Sequence, residues 1–178
     1  MRLSKYILTI LLTSSMITAS SYIEKGTWNI SGSIYFTDNI TNDDFYLKYF
    51  KITAGIYQFV HKSISIGSDI SYARMWDDDD ITHYYTINPG VRLYFLTGNN
   101  IYPYIKMSGE YYLVKYSDGT FYDIIGTNYG FGIDYFIRKN IALEPYLNYH
   151  IMQRREDRDI VCKPRRMELG FSLAIFLP

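Results

Sequence analysis

Alternating side chains in eight successive segments, connections that alternate short and long, and an export-type N-terminus together predict an all-β chain. The architecture they imply is an eight-stranded antiparallel up-and-down transmembrane β-barrel, with short periplasmic turns and long extracellular loops. A period of two marks a β-strand, because successive side chains point to opposite faces. Here one face of each segment is apolar and the other is polar or small. That division fits a wall with lipid on one side and a polar lumen on the other.

Residues 1–20 read as a cleaved signal peptide. Arg2 and Lys5 form a basic start, residues 6–12 an apolar run, and residues 13–20 small residues suited to cleavage after Ala19 or Ser20. The run is far short of the about 20 residues a spanning helix needs. Residues 21–178 are then one barrel domain. Its first strand sets Trp28, Ile30, Ile34 and Phe36 against Thr27, Asn29, Ser31, Ser33 and Tyr35. The second sets Phe50, Ile52, Ala54 and Ile56 against Lys51, Thr53, Gly55 and Tyr57. The third alternates Ile64, Ile66, Ile70 and Tyr72 with Ser65, Gly67, Asp69 and Ser71, and the fourth Ile87, Pro89, Val91, Leu93 and Phe95 with Asn88, Gly90, Arg92 and Tyr94.

In the fifth strand Ile105, Met107, Tyr111 and Leu113 oppose Lys106, Ser108, Glu110 and Tyr112. In the sixth, Ile125, Tyr129, Phe131, Ile133 and Tyr135 oppose Asn128, Gly130, Gly132 and Asp134. The seventh, residues 141–152, is the clearest and about twice the usual strand length. Ile141, Leu143, Pro145, Leu147, Tyr149 and Ile151 face one way; Ala142, Glu144, Tyr146, Asn148, His150 and Met152 face the other. The eighth sets Leu169, Phe171, Leu173 and Ile175 against Glu168, Gly170, Ser172 and Ala174.

Short polar turns fall at residues 60–63, 97–100 and 138–140, and longer charged loops at 37–44, 75–83, 116–122 and 153–165. Export delivers the N-terminus to the periplasm, which places the short turns there and the long loops outside. Gly55-Ile56-Tyr57-Gln58-Phe59 and Gly132-Ile133-Asp134-Tyr135-Phe136 share a Gly-Ile-x-x-Phe form before a short turn, with Gly90 to Phe95 a longer version. Aromatics at these strand ends are expected to form an interfacial girdle.

Twenty Tyr, ten Phe and two Trp make the chain 18% aromatic, yet its mean hydropathy is slightly negative. That mixture suits alternation better than a compact helical core. A formal net charge of zero gives no electrostatic case for nucleic acid. The single cysteine, Cys162, excludes an internal disulfide framework.

Lys25-Gly26-Thr27-Trp28, the hairpin from Tyr57 to Ile64, and the run Tyr135-Phe136-Ile137-Arg138-Lys139-Asn140-Ile141-Ala142-Leu143 resemble bacterial outer-membrane β-barrel domain proteins of the OmpA/OmpX-like eight-stranded class. The resemblance implies a Gram-negative outer membrane, contact with its lipid and lipopolysaccharide, and insertion by the barrel-assembly machinery. Phe176 is followed by Leu177 and Pro178, a departure from the aromatic terminus common in that family. Gly26-Thr27-Trp28 also matches the Gly-x-Trp of lipocalins, secreted barrels that hide the apolar face inside.

The polar parity collects an interior set: Lys51, Asp69, Arg92, Lys106, Glu110, Asp134, Glu144, His150, Arg166 and Glu168. An eight-stranded barrel is only wide enough for its own side chains, so these charges must pair. The leading reading is an ion-pair and tyrosine network that closes the lumen. The alternative is a narrow passive ion path through the same residues.

Outer-membrane lipid A deacylases and palmitoyltransferases are also eight-stranded. Of the histidines, His61 falls in a periplasmic turn, His83 ends an extracellular loop, and His150 is followed at two positions by Met152 rather than Ser. No local base and orienting group complete a triad, so no catalytic residue, cofactor or metal is expected. Asp77-Asp78-Asp79-Asp80 lacks the spaced oxygen ligands of a dedicated cation loop and reads as a solvated acidic tip. Arg154-Arg155-Glu156-Asp157-Arg158-Asp159 and Lys163-Pro164-Arg165-Arg166 offer guanidinium groups suited to lipopolysaccharide phosphates, or simply a soluble loop. The sequence points to no extracellular ligand.

Overall fold

A computed structural model describes residues 23–41, 45–77, 80–97, 100–156, 159–162 and 165–178. The expected signal peptide, residues 1–20, lies outside them. The described strands are β1 (Trp28–Thr41), β2 (Phe45–His61), β3 (Ile64–Asp77), β4 (Asp80–Tyr94), β5 (Ile101–Lys115), β6 (Phe121–Arg138), β7 (Ile141–Glu156), β8 (Asp159–Cys162) and β9 (Arg165–Leu177). From β1 to β7 each strand pairs antiparallel with the next; β7 also pairs with β9, and β9 returns to β1. The result is a closed ring of eight strands. The ninth, β8, pairs only with the outer end of β7.

The parity runs as expected from the sequence in every wall strand. Ile34, Ile66, Ile70, Leu147 and Phe171 face out and are exposed, whereas Asn29, Asp69, Arg92, Asp134 and His150 are buried inside. A predominantly apolar exterior around a charged interior is the reverse of a lipocalin, and that alternative falls here. Such an exterior belongs in hydrocarbon, where every backbone group must find a partner within the wall.

Two expectations need correction. Of the repeat's aromatics, Phe59 and Phe136 do not join a girdle, whereas Phe95 of the longer version faces out. Phe59 and Phe136 share the lumenal parity of Tyr57 and Asp134, and both are buried in a cluster with Ile23, Tyr94, Tyr102 and Phe176. The Phe136 and Phe176 rings lie 4.7 Å apart, and Phe59 lies 4.9 Å from Tyr94. They seal the end of the barrel that carries the short turns. Outward aromatics come instead from the opposite parity, with Trp28 and Phe95 near that same end.

The expected long loops are also largely wall. The β1–β2 ladder continues to Thr41↔Phe45, β3–β4 to Asp77↔Asp80, and β7–β8 to Glu156↔Asp159. Strand formers such as Ile40, Phe45, Tyr46, Ile81 and Thr82 keep the ladder running into segments whose charge reads as loop. His83 accordingly lies within β4, with its Nδ1 2.9 Å from the Tyr72 hydroxyl on the outer face. The β5–β6 connection remains a true turn. There Gly119 takes a φ of 86°, and the Thr120 N–H donates to the Asp118 carboxylate at 2.8 Å. That backbone bond holds the Asp118 pKa below its ordinary value.

One joint differs from the others. β1 and β9 pair at only five positions, from Trp28↔Leu177 to Gly32↔Leu173. Above that, among the described residues, β1 pairs only with β2 and β9 only with β7.

The inside–outside assignment has a direct test. Ile66→Arg or Leu147→Arg is expected to cost about 2–4 kcal/mol of folding free energy in lipid vesicles, as lipid-face charge does near the midplane. Asn148→Asp, one residue away on the lumenal face, is expected to cost far less. Urea unfolding followed by tryptophan fluorescence reads both; equal losses at both parities would overturn the assignment.

Candidate functional site

Alternation along seven strands brings the charged interior set together at two levels. In the lower one, Asp69 on β3 takes an ion pair from Lys106 on β5 and another from Arg92 Nη2 on β4 at 3.8 Å. The Tyr57 hydroxyl donates to the same carboxylate at 3.1 Å. Arg92 Nη1 donates to Glu144 Oε2 at 3.1 Å, and the Tyr104 hydroxyl donates to Glu144 Oε1 at 2.7 Å. The Arg92 guanidinium also lies between two rings, 4.0 Å from the Tyr57 centroid and 4.8 Å from that of Tyr104. A planar, weakly hydrated cation suits this slot better than an ammonium would. Asp134, wholly buried, sits beside Glu144 and Tyr94, but among the described residues neither of its oxygens reaches hydrogen-bond geometry.

The second level centres on Glu168 of β9. Lys51 Nζ donates to both of its oxygens, at 2.8 and 2.9 Å, and Arg166 Nη2 donates at 3.2 Å. The Tyr146 hydroxyl reaches Glu168 at 3.4 Å, and His150 Nε2 lies 3.9 Å away. His150 Nδ1 is 2.7 Å from Glu110 and 3.5 Å from the Tyr112 hydroxyl. All ten residues of the sequence-derived interior set therefore lie on the lumenal parity, seven of them in ion pairs, His150 and Glu110 hydrogen-bonded to each other, and Asp134 beside them.

Sequence reasoning did not single out Tyr104 or the glycines that admit the tyrosine rings. A Cβ at Gly132 would run into the Tyr104 ring, and one at Gly170 into the ring of Tyr146, 2.5 Å from its Cζ. Each phenol lies flat across a glycine on the neighbouring strand and so reaches its carboxylate. Gly132 and Gly170 do sit on the lumenal parity. Only the register, Tyr104↔Gly132 and Tyr146↔Gly170, shows what they are for.

Below the charges lies the aromatic floor. Between the two levels the free space is about 40 Å³, room for ordered water. Above them a vestibule of about 560 Å³ opens, lined by Tyr35, Tyr84, Met75, Met152 and Arg166 among others. This arrangement neutralises charge and fills space. The histidines do not converge: His61 accepts the Ser63 N–H in its turn, His83 bonds Tyr72 outside, and His150 bonds Glu110 inside. Among the described residues no group of His, Cys, Asp or Glu is placed to hold a metal. The side chains of Asp77–Asp80 and of residues 154–164, Cys162 included, lie outside the description. Of the second basic run, Arg165 is exposed, whereas Arg166 turns inward to Glu168.

No protein-family model matches the chain, and no curated protein matches it in sequence. In structure it is similar to Neisserial surface protein A, with a TM-score of 0.58, 13% identity, and coverage of 84% of this chain and 94% of that one. It is similar also to the N-terminal β-barrel domain of Pseudomonas aeruginosa OprF (TM-score 0.57, 12% identity, 86% and 98% covered). A third is the outer membrane protein OprG of the same organism (0.53, 10%, 85% and 97%). What is shared at these identities is the fold, that of the small eight-stranded transmembrane β-barrels.

Removing the central cation should expose how tightly the network is coupled. Arg92→Leu leaves Glu144 and Asp69 short of a partner in a buried site, and an unpaired buried charge costs about 3–5 kcal/mol. Ser108→Ala, also lumenal but outside the ion pairs, is expected to be nearly silent. Equilibrium unfolding in detergent micelles distinguishes them; a silent Arg92→Leu would mean that the ion pairs contribute little.

Proposed function

We propose that the chain is an integral outer-membrane protein of a Gram-negative bacterium, exported with residues 1–20 as a cleaved signal peptide. Its role is structural or surface-interaction, with a closed lumen. The observation that carries this reading is the double occlusion of the interior. The aromatic floor and the Arg92-centred ion pairs leave only about 40 Å³ of free space between the two charged levels. The predominantly apolar exterior supports residence in lipid, with lipopolysaccharide as the outer-leaflet neighbour and the barrel-assembly machinery as the partner during insertion. The paired hairpins that continue past the apolar band supply a stiff surface for contacts outside the cell. Catalysis, a cofactor and nucleic acid have no part in this reading.

The competing reading is a narrow passive channel of the small-porin type, with the lumenal charges as its filter. Planar-bilayer recording separates the two. The wild-type protein is expected to give no stable ohmic steps, whereas Phe59→Ala/Phe136→Ala, which removes two rings of the floor, is expected to raise leak conductance. Regular steps from the wild type that change with Arg92→Ala or Glu110→Ala would overturn the closed lumen.

A further inference from the structure

The short β1–β9 joint leaves two strand edges apart, residues 33–41 on β1 and 165–172 on β9. In hydrocarbon an unpaired backbone group costs several kcal/mol, so such edges persist only where they line a cavity. A cavity lies directly behind these. The vestibule is lined by lumenal Tyr35, Tyr49 and Arg166, but also by Met167 and Leu169, whose parity is outward. It therefore reaches through the wall. The lips of the slot are apolar: Ile34, Phe36, Met167, Leu169 and Phe171, at 62–71% exposure, are the five most exposed large apolar side chains among the described residues.

Behind the slot, Lys51 on β2 reaches past β1 to Glu168 on β9. This ion pair spans the gap that backbone hydrogen bonds do not. Two cations, Lys51 and Arg166, share that one carboxylate, and Arg166 Nε has no hydrogen-bond partner among the described residues. Ala73, Met75, Ile124 and Met152 supply an apolar wall beside them. The volume lies in the range of small-molecule sites.

We infer that the β1–β9 slot and the vestibule behind it form a lateral binding site for a single-chain anionic amphiphile, its chain lying between the slot lips and its head at Arg166. The thioether and aliphatic wall accepts the chain. The Arg166 guanidinium at the base accepts a carboxylate, for which it is a strong donor.

The test uses the full mature chain in phosphatidylcholine vesicles, with a medium-chain fatty acid carrying a diazirine near the chain end as probe. Photolysis and peptide mass spectrometry are expected to find adducts at Met167 and Leu169 in the slot and at Met75 and Met152 in the vestibule. Arg166→Gln is expected to weaken this labelling about tenfold, the loss of one charge-assisted hydrogen bond. Ala73→Phe, which fills the vestibule, should abolish the vestibule adducts and leave those of the outer belt. The methyl ester of the probe should compete poorly. Adducts confined to lipid-facing residues such as Ile66 and Leu147 would overturn the site; vestibule adducts without Met167 or Leu169 would overturn the lateral path. Should Ala73→Phe not assemble, the wild-type map and Arg166→Gln decide alone. Conductance of either kind leaves this outcome unchanged, so the closed-lumen reading stands or falls separately.

Discussion

A ring of eight strands has room inside only for its own side chains. Lipid surrounds the outside, so every polar group that the alternation turns away from lipid must be satisfied within that narrow space. The Arg92 guanidinium is where this constraint is met most fully. It joins Glu144 and Asp69, strands β7 and β3 on opposite sides of the ring, and is held between the rings of Tyr57 and Tyr104. The rest of the interior is arranged around that demand. Lys106 shares Asp69, Tyr104 shares Glu144, and the glycines facing Tyr104 and Tyr146 clear the room that the phenols need.

Interior ion pairs are poor sources of stability when weighed against apolar packing. Their retention here is better understood as a consequence of geometry. An apolar interior would make both faces of each strand greasy and remove the one cue, alternation, that tells lipid from lumen. Pairing charges across the ring between strands that are not hydrogen-bonded neighbours, as Arg92 does with Glu144 and Lys51 with Glu168, also penalises a register slip. A shift of one residue would turn Arg92, Asp69 and Glu144 into lipid. The floor solves the filling problem differently, with rings packed at 4.7–5.3 Å where tyrosine and phenylalanine meet.

Most of the wall was legible because a period of two is a strong local signal, and Leu147 and Glu144 declare their faces without help from elsewhere. The interior set was legible for the same reason, but its partnerships were not. That Lys51 meets Glu168 rather than Asp69 depends on stagger between strands distant in sequence. The Gly-Ile-x-x-Phe repeat misled because strand-end position was given more weight than parity, and parity places Phe59 and Phe136 inside. The extent of the hairpins was hidden by charge: Asp77 and Arg154 read as loop although their backbones remain in ladders. The short β1–β9 joint had no signature at all, since it is a property of two edges rather than of either strand.

The floor has a consequence for the order of assembly. Its rings come from β2, β4, β5, β6 and β9, so no contiguous stretch of chain can build it. Phe176 stands one residue before the end of β9, the strand whose pairing with β1 completes the ring, and it packs against Phe136 from β6 and near Phe59 from β2. Contacts of such long sequence separation form late, after the loops between them have closed. The aromatic cluster therefore condenses only once the last strand is in place. A chain stalled at an open intermediate would leave that end of its lumen wet.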